Sequence, residues 1–125
     1  MRTTIRRRRS MIQGLIFDHL TQTFRLFSFE SPCEAFASKT FTIVGASIEH
    51  NLVMIGEDSQ NDPELPIANI DSQILTAFVY DDPPRGDVLF MLTNDKGIPL
   101  SIESVHHLET VRTDHLETVH PEQKM

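Results

Sequence analysis

The chain is poor in cysteine, in tryptophan and, over most of its length, in positive charge. Cys33 is the single cysteine among 125 residues, so no disulfide can form within the chain, which suits a reducing compartment. Tryptophan is absent and there is one tyrosine, against eight phenylalanines. We therefore expect an aliphatic core with phenylalanine anchors, and we interpret Cys33 as a small, inert thiol.

Long hydrophobic runs are also missing. No apolar stretch approaches the roughly 20 residues that a membrane-spanning helix needs. The five glycines are scattered, so no phosphate-binding glycine loop is formed and no cofactor is predicted. The length suits one domain with one core. These features predict a soluble, cytoplasmic, single-domain protein that does not bind a membrane.

Positive charge is concentrated at the N-terminus. Residues 1–10 hold five of the 11 basic residues and no acid. The other six basic residues face all 18 acids, which gives residues 11–125 a formal charge of −12. Such a surface repels phosphate backbones and anionic membranes and favours basic or amphipathic partners. The basic residues of the N-terminal segment are Arg2, Arg6, Arg7, Arg8 and Arg9.

The arginine run has three interpretations. It is an organellar leader over residues 1–17, a basic arm that contacts nucleic acid, or an unstructured extension upstream of a start at Met11. We favour a basic disordered extension over residues 1–10. A single domain then follows over residues 11–120, and residues 121–125 form a disordered tail.

Residues 11–24 carry apolar side chains at helical spacing and predict an N-terminal helix. The stripe consists of Met11, Leu15, Ile16, Leu20 and Phe24. Residues 25–30 then alternate between polar and apolar side chains. They are interpreted either as a strand or as the end of that helix.

Two segments predict β-hairpins. Residues 40–55 are rich in β-branched and aromatic side chains and turn at His50-Asn51. Residues 88–102 form two short apolar strands around a four-residue loop, in which Gly97 can adopt the left-handed conformation that closes the hairpin. Pro99 cannot donate a ladder hydrogen bond, so it places its strand at a sheet edge.

Two further segments favour helices. Over residues 67–80 the apolar spacing fits a helix that begins near Asp71 or Ser72, with Asp71 as N-cap, although a strand over residues 74–80 fits nearly as well. Residues 104–120 carry an apolar stripe on one helical side. The fold class expected is therefore α+β: an antiparallel sheet built from two hairpins, packed by an N-terminal and a C-terminal helix.

Acidic residues cluster in two proline-containing loops, over residues 57–64 and 81–87. Turns of this kind are usually wet, so these carboxylates are better suited to surface recognition than to acid–base catalysis. We predict no catalytic residue. The predicted partner-binding residues are Glu57, Asp58, Asp62, Glu64, Asp81, Asp82 and Asp87.

Four of the six histidines lie within fifteen residues: His106, His107, His115 and His120. Glu103 and His107 would be one turn apart on a helix, but a second ligand pair at matching spacing is missing. No metal site is therefore predicted. Acidic neighbours make a pH-dependent interaction the better interpretation of this cluster.

The charge and the element order together predict a non-catalytic protein–protein interaction module, that is, an adaptor, an inhibitor or a chaperone-like protein. In size, acidity and predicted element order, residues 11–119 resemble the class I type III secretion chaperones. That resemblance implies a homodimer that binds an extended segment of another protein. The alternative is a small, β-rich, nucleic-acid-associated domain that contacts phosphate through Arg6, Arg7, Arg8 and Arg9. An enzyme that uses the histidine cluster ranks last.

Overall fold

The computed structural model describes residues 11–58, 60 and 62–112. Most of the regular structure is β. The elements are β1 (Ile12–Asp18), β2 (Thr23–Phe29), a 3₁₀ turn (Pro32–Ala35), β3 (Thr42–Ser47), β4 (Leu52–Gly56), α1 (Ser72–Leu75), β5 (Val88–Thr93) and β6 (Pro99–Leu100). Residues 107–112 are helical and are called α2 here.

All strands belong to one antiparallel sheet. Its order is β2-β1-β5-β4-β3, and β6 pairs with the end of β5. β5 is the centre of the sheet, because it pairs with β1, β4 and β6. The sheet therefore ends at β2 on one side and at β3 on the other.

The sheet packs an apolar cluster on each face. The larger cluster includes Phe17, Met54 and Phe90, and buried side chains from α1 and α2 complete it. The smaller cluster includes Ile55 and Leu89 from neighbouring strands, and Phe36 covers it from the loop that leads to β3. β4 and β5 therefore contribute buried side chains to both faces of the sheet.

Both predicted hairpins are present. β3 and β4 turn at residues 48–51, where Asn51 has a φ of 57°. β5 and β6 are joined by a turn in which the Gly97 N–H donates to the Asn94 carbonyl at 3.0 Å. Gly97 has a φ of 82°, which is the left-handed conformation expected for that turn. Pro99 lies in the two-residue β6, off the main path of the sheet, as predicted.

The predicted N-terminal helix over residues 11–24 is wrong, because that segment forms β1, a turn and the start of β2. Leu15, Ile16 and Phe17 are all at most 2% exposed, since β1 is buried on both faces. A strand covered on both faces presents a continuous apolar run in place of alternation, and such a run is compatible with helical spacing. For residues 25–30, the strand interpretation is the correct one.

The remaining helices are short. α1 begins after Asp71, whose carboxylate accepts the Gln73 N–H at 2.9 Å, so the predicted N-cap is confirmed although the helix is only four residues long. In α2, Leu108 and Val111 are buried in the larger cluster. Residues 104–106 of the predicted C-terminal helix are not helical, and residues 113–120 lie outside the described residues, as do both predicted terminal segments.

Among the described residues, no helix has the length and apolar character that crossing a membrane requires.

Candidate functional site

The outer edge of β3 is covered at one point by the segment that follows α1. Ala46 and Val79 exchange two backbone hydrogen bonds, at 3.1 Å and 2.7 Å. The register of β3 against β4 also shifts between Ile43 and Gly45, so the strand carries a bulge there. Bulges and covering segments are the usual means by which a sheet edge is withheld from another strand.

Gly45 allows the covering segment to come close. A Cβ atom at this position would lie 3.1 Å from the Val79 carbonyl oxygen, 3.1 Å from the Tyr80 Cβ and 2.5 Å from the Met54 Cε. Phe78 anchors the segment from the other side, because it is 6% exposed and its ring meets the Phe90 ring edge-on at 5.7 Å. The path of residues 78–80 is therefore fixed by packing.

The two acidic loops are joined to each other beside this edge. The Gln60 side chain donates from Nε2 to the Arg85 carbonyl and accepts the Arg85 N–H at Oε1, both at 2.8 Å. The Arg85 guanidinium donates to the Leu65 carbonyl at 2.7 Å. Two backbone hydrogen bonds also join the loops: the Ala68 N–H donates to the Pro84 carbonyl and the Gly86 N–H donates to the Pro66 carbonyl, each at 2.8 Å.

Two adjoining recesses result from this arrangement, and Ile43, Val44 and Asp81 line both of them. The acidic recess has a volume of about 390 Å³ and is also lined by Gln60, Ile67, Asp82, Pro83 and Arg85. The apolar recess has a volume of about 480 Å³ and is also lined by Gly45, Ala46, Ile48, Val79 and Tyr80. We call the two together the edge groove.

The edge groove exposes large aliphatic side chains to solvent. Ile48 is 87% exposed, Val79 78%, Ile43 61% and Ile67 54%. Single exposed aliphatic residues are common on protein surfaces, but contiguous ones bordered by polar groups mark interaction sites. Here all four line one groove, and acids border it.

Asp81 and Asp82 supply the negative charge of the groove. Both residues are exposed, and within the described part of the chain neither takes part in an ion pair. The nearby cation, Arg85, donates to the Leu65 carbonyl. The groove therefore has two carboxylates available to a cation from outside.

The predicted partner-binding acids are divided by the fold. Asp81 and Asp82 line the edge groove, and the other loop that Gln60 joins to it carries Glu57, Asp58, Asp62 and Glu64. Asp87 lies elsewhere: its Oδ1 accepts from the His19 backbone N–H at 3.0 Å and lies 2.7 Å from the His19 Nδ1. Asp87 thus has a partner within the chain.

Asp18, His19 and Asp87 form a cluster that the sequence did not indicate. Their ligand atoms all lie within 4.8 Å of one another, and each side chain is half-buried. The Asp18 carboxylate also accepts the Leu20 and Thr21 N–H groups, at 2.9 Å and 3.3 Å. Since carboxylate oxygens and an imidazole suit divalent cations, these residues could hold one, but the same contacts also fix the β1–β2 turn.

The histidine cluster is only partly within the described residues. His115 and His120 lie outside them, and Glu103 precedes α2, so it does not sit one helical turn from His107. The pKa of His107 is lowered by burial and, secondarily, by the nearby imidazole of His50. His107 therefore lies in a partly buried position near His50 of the β3–β4 turn.

The other candidates from the sequence add no site. The Cys33 sulfur is half-buried and lies 3.3 Å from the Ser31 hydroxyl. Arg6, Arg7, Arg8 and Arg9 lie outside the described residues. Comparisons with protein-family models, with curated proteins and with solved structures found no match.

Proposed function

We propose that the protein is a non-catalytic binding module that holds a basic or amphipathic segment of another protein in the edge groove. The observation that supports this proposal is the coincidence, in one groove, of exposed aliphatic side chains with two carboxylates that lack a described ion-pair partner. Apolar contact supplies affinity, and charge complementarity supplies orientation and a faster association rate.

The formal charge of −7 supports the same choice of partner. A basic segment is attracted over the whole acidic body, whereas nucleic acid and anionic membranes are repelled by it. Whether the module acts as an adaptor, an inhibitor or a chaperone depends on the partner. An arginine-mediated contact with nucleic acid remains a sequence-based alternative that no described residue supports.

The test is binding of synthetic peptides to the full chain, measured by fluorescence anisotropy. Peptides that mix arginine with leucine should bind, and analogues with glutamate in place of arginine should not. Binding should weaken when salt is added, because exposed charges contribute. Equal binding of acidic and basic peptides, or no binding of either, would contradict the proposal.

A groove variant and a control variant test whether the peptides bind at the edge groove. Ile48→Ser with Val79→Ser removes two exposed aliphatic side chains from the groove and should reduce peptide affinity about fivefold or more. Leu20→Ser is the control, because Leu20 is 82% exposed in the turn between β1 and β2 and does not line the groove. If Leu20→Ser weakens binding equally, the groove is not the binding surface.

A further inference from the structure

The two recesses of the edge groove differ in chemistry although they adjoin. The acidic recess presents Asp81 and Asp82 beside Arg85. The apolar recess presents Ile48 and Val79, and Asp81 lies at its border with the acidic recess. A carboxylate pair recognises a lysine or arginine head group, while exposed aliphatic side chains recognise a large apolar one. Each recess therefore favours a different kind of side chain.

The recesses share Ile43, Val44 and Asp81, so one short segment can reach both. In an extended chain, side chains two positions apart point to the same side and are separated by roughly 6.5 Å. Neighbouring side chains point to opposite sides, and side chains three apart do so as well. Adjoining recesses on one surface thus fit positions i and i+2 of an extended segment.

Strand addition is not available at the centre of this edge. Val79 already uses the outward N–H and carbonyl of Ala46, and the bulge between Ile43 and Gly45 interrupts the ladder. A segment in the groove must therefore be recognised mainly through its side chains. Its backbone cannot continue the sheet past Ala46.

We infer that the edge groove reads a two-point motif in an extended segment of a partner protein: a lysine or arginine in the acidic recess and a large apolar residue, two positions away, in the apolar recess. This inference rests on the proposed function. Charge complementarity with Asp81 and Asp82 argues for a basic partner segment over a second copy of this acidic chain.

The experiment uses three labelled peptides that place one arginine and one leucine at i and i+1, i and i+2, or i and i+3 in a serine–threonine background. Anisotropy titrations against the full chain should show the i, i+2 peptide binding about three- to tenfold more tightly than the other two. Equal affinities would overturn the two-point motif and leave the proposed function intact. If none of the three basic–apolar peptides binds, both the two-point motif and the proposed function are contradicted.

Double-mutant cycles assign each recess to its side chain. Replacing the peptide arginine by glutamine should weaken binding to the native chain about three- to tenfold, and should have little effect on the Asp81→Asn, Asp82→Asn variant. Replacing leucine by serine should show the same coupling to Ile48→Ser, Val79→Ser. Asp95→Asn with Glu103→Gln removes equal charge elsewhere and is the control. If the effects of the peptide and protein substitutions are additive, the assignment of each recess to its side chain is contradicted.

A second copy of the chain is the competing occupant, because β2 carries Arg25 and Phe27 two positions apart. Sedimentation velocity over a range of concentrations shows whether the chain self-associates. Concentration-dependent assembly that Arg25→Ser abolishes, and that blocks peptide binding, would assign the groove to self-association and overturn the choice of partner. A species of constant size supports the partner segment.

Discussion

The two edges of the sheet are built differently. β2 pairs with β1 in unbroken register over seven residues, and within the described residues no strand or bridge lies on its outer side. β3 is shorter, carries a bulge, and is bridged at Ala46 by Val79. One edge is a regular strand, and the other is covered and flanked by a groove.

The difference shows two ways in which a sheet edge can take part in recognition. A regular edge such as β2 offers a row of backbone groups, which bind any extended chain without regard to its side chains. The covered edge at β3 withholds part of that row and presents side chains of defined chemistry. Selectivity is therefore expected at β3.

The largest loss of stability should come from Phe78→Ala, which removes the anchor of the segment that covers the β3 edge. Phe78 is 6% exposed and anchors the covering segment against Phe90, so truncation should reduce the free energy of unfolding by about 3–5 kcal/mol. Urea denaturation followed by circular dichroism measures the change. Val79→Ala is the matched control: its side chain is 78% exposed, and its backbone bridge is retained. A similar loss in both variants would show that the anchor is not Phe78.

A smaller loss is expected when bulk is added at the crossing point. Gly45→Val places branched carbons against the Val79 carbonyl and Tyr80, and should lower the free energy of unfolding by about 1–3 kcal/mol. The same residue introduced on the other edge, Ser28→Val, should be close to neutral, since Ser28 is exposed and valine favours strands. Equal losses in the same denaturation assay would show that the Gly45 position is no more crowded than the β2 edge.

On the β2 edge itself, Arg25→Ala should cost about 0.5–1 kcal/mol. The Arg25 guanidinium lies 5.7 Å from the centre of the Phe27 ring, within the range of a cation–π contact at an exposed site. Arg25→Lys keeps the positive charge and should recover part of the loss. A lysine variant as unstable as the alanine variant would attribute the effect to lost packing and not to the cation.

The smallest effect concerns the pH dependence of stability. It arises at His107 in α2, which lies near His50 in the β3–β4 turn. Because burial and His50 lower the pKa of His107, the unfolded chain binds a proton more readily than the folded one below the ordinary histidine pKa of 6.5. The contribution of His107 to the free energy of unfolding should therefore be constant well above pH 6.5. It should decrease as the pH falls from about 6.5 towards the lowered folded pKa, and level off below that pKa. His107→Gln should reduce that slope in denaturation curves taken across this range. An unchanged slope would assign the acid sensitivity to other groups.

Local signals were sufficient for the hairpins and caps. The turn residues around Asn51 and Gly97 act within a few positions of themselves, and so do the N-cap Asp71 and the edge residue Pro99. These features were predicted correctly because their causes are contained in short stretches of sequence. The N-terminal segment was not, since burial on both faces of β1 removes the alternation that identifies a strand.

The edge groove could not be predicted in the same way. It depends on contacts between residues 43–48 and residues 79–85, which are more than thirty positions apart in the chain. Composition identified the acidic loops, but only the three-dimensional arrangement separates Asp81 and Asp82 in the groove from Asp87, which is bound to His19. Residue type located the charge, and long-range packing decided which charges face outward.

The paired hydrogen bonds between Gln60 and Arg85 bear on how tightly a partner can bind. One amide satisfies both backbone groups of a residue 25 positions away, so it links the two acid-bearing loops at Gln60 and Arg85. For the proposed partner, the backbones of the two loops are already linked at Gln60 and Arg85 and do not have to be immobilised independently. The loss of conformational entropy on such an association would be correspondingly smaller.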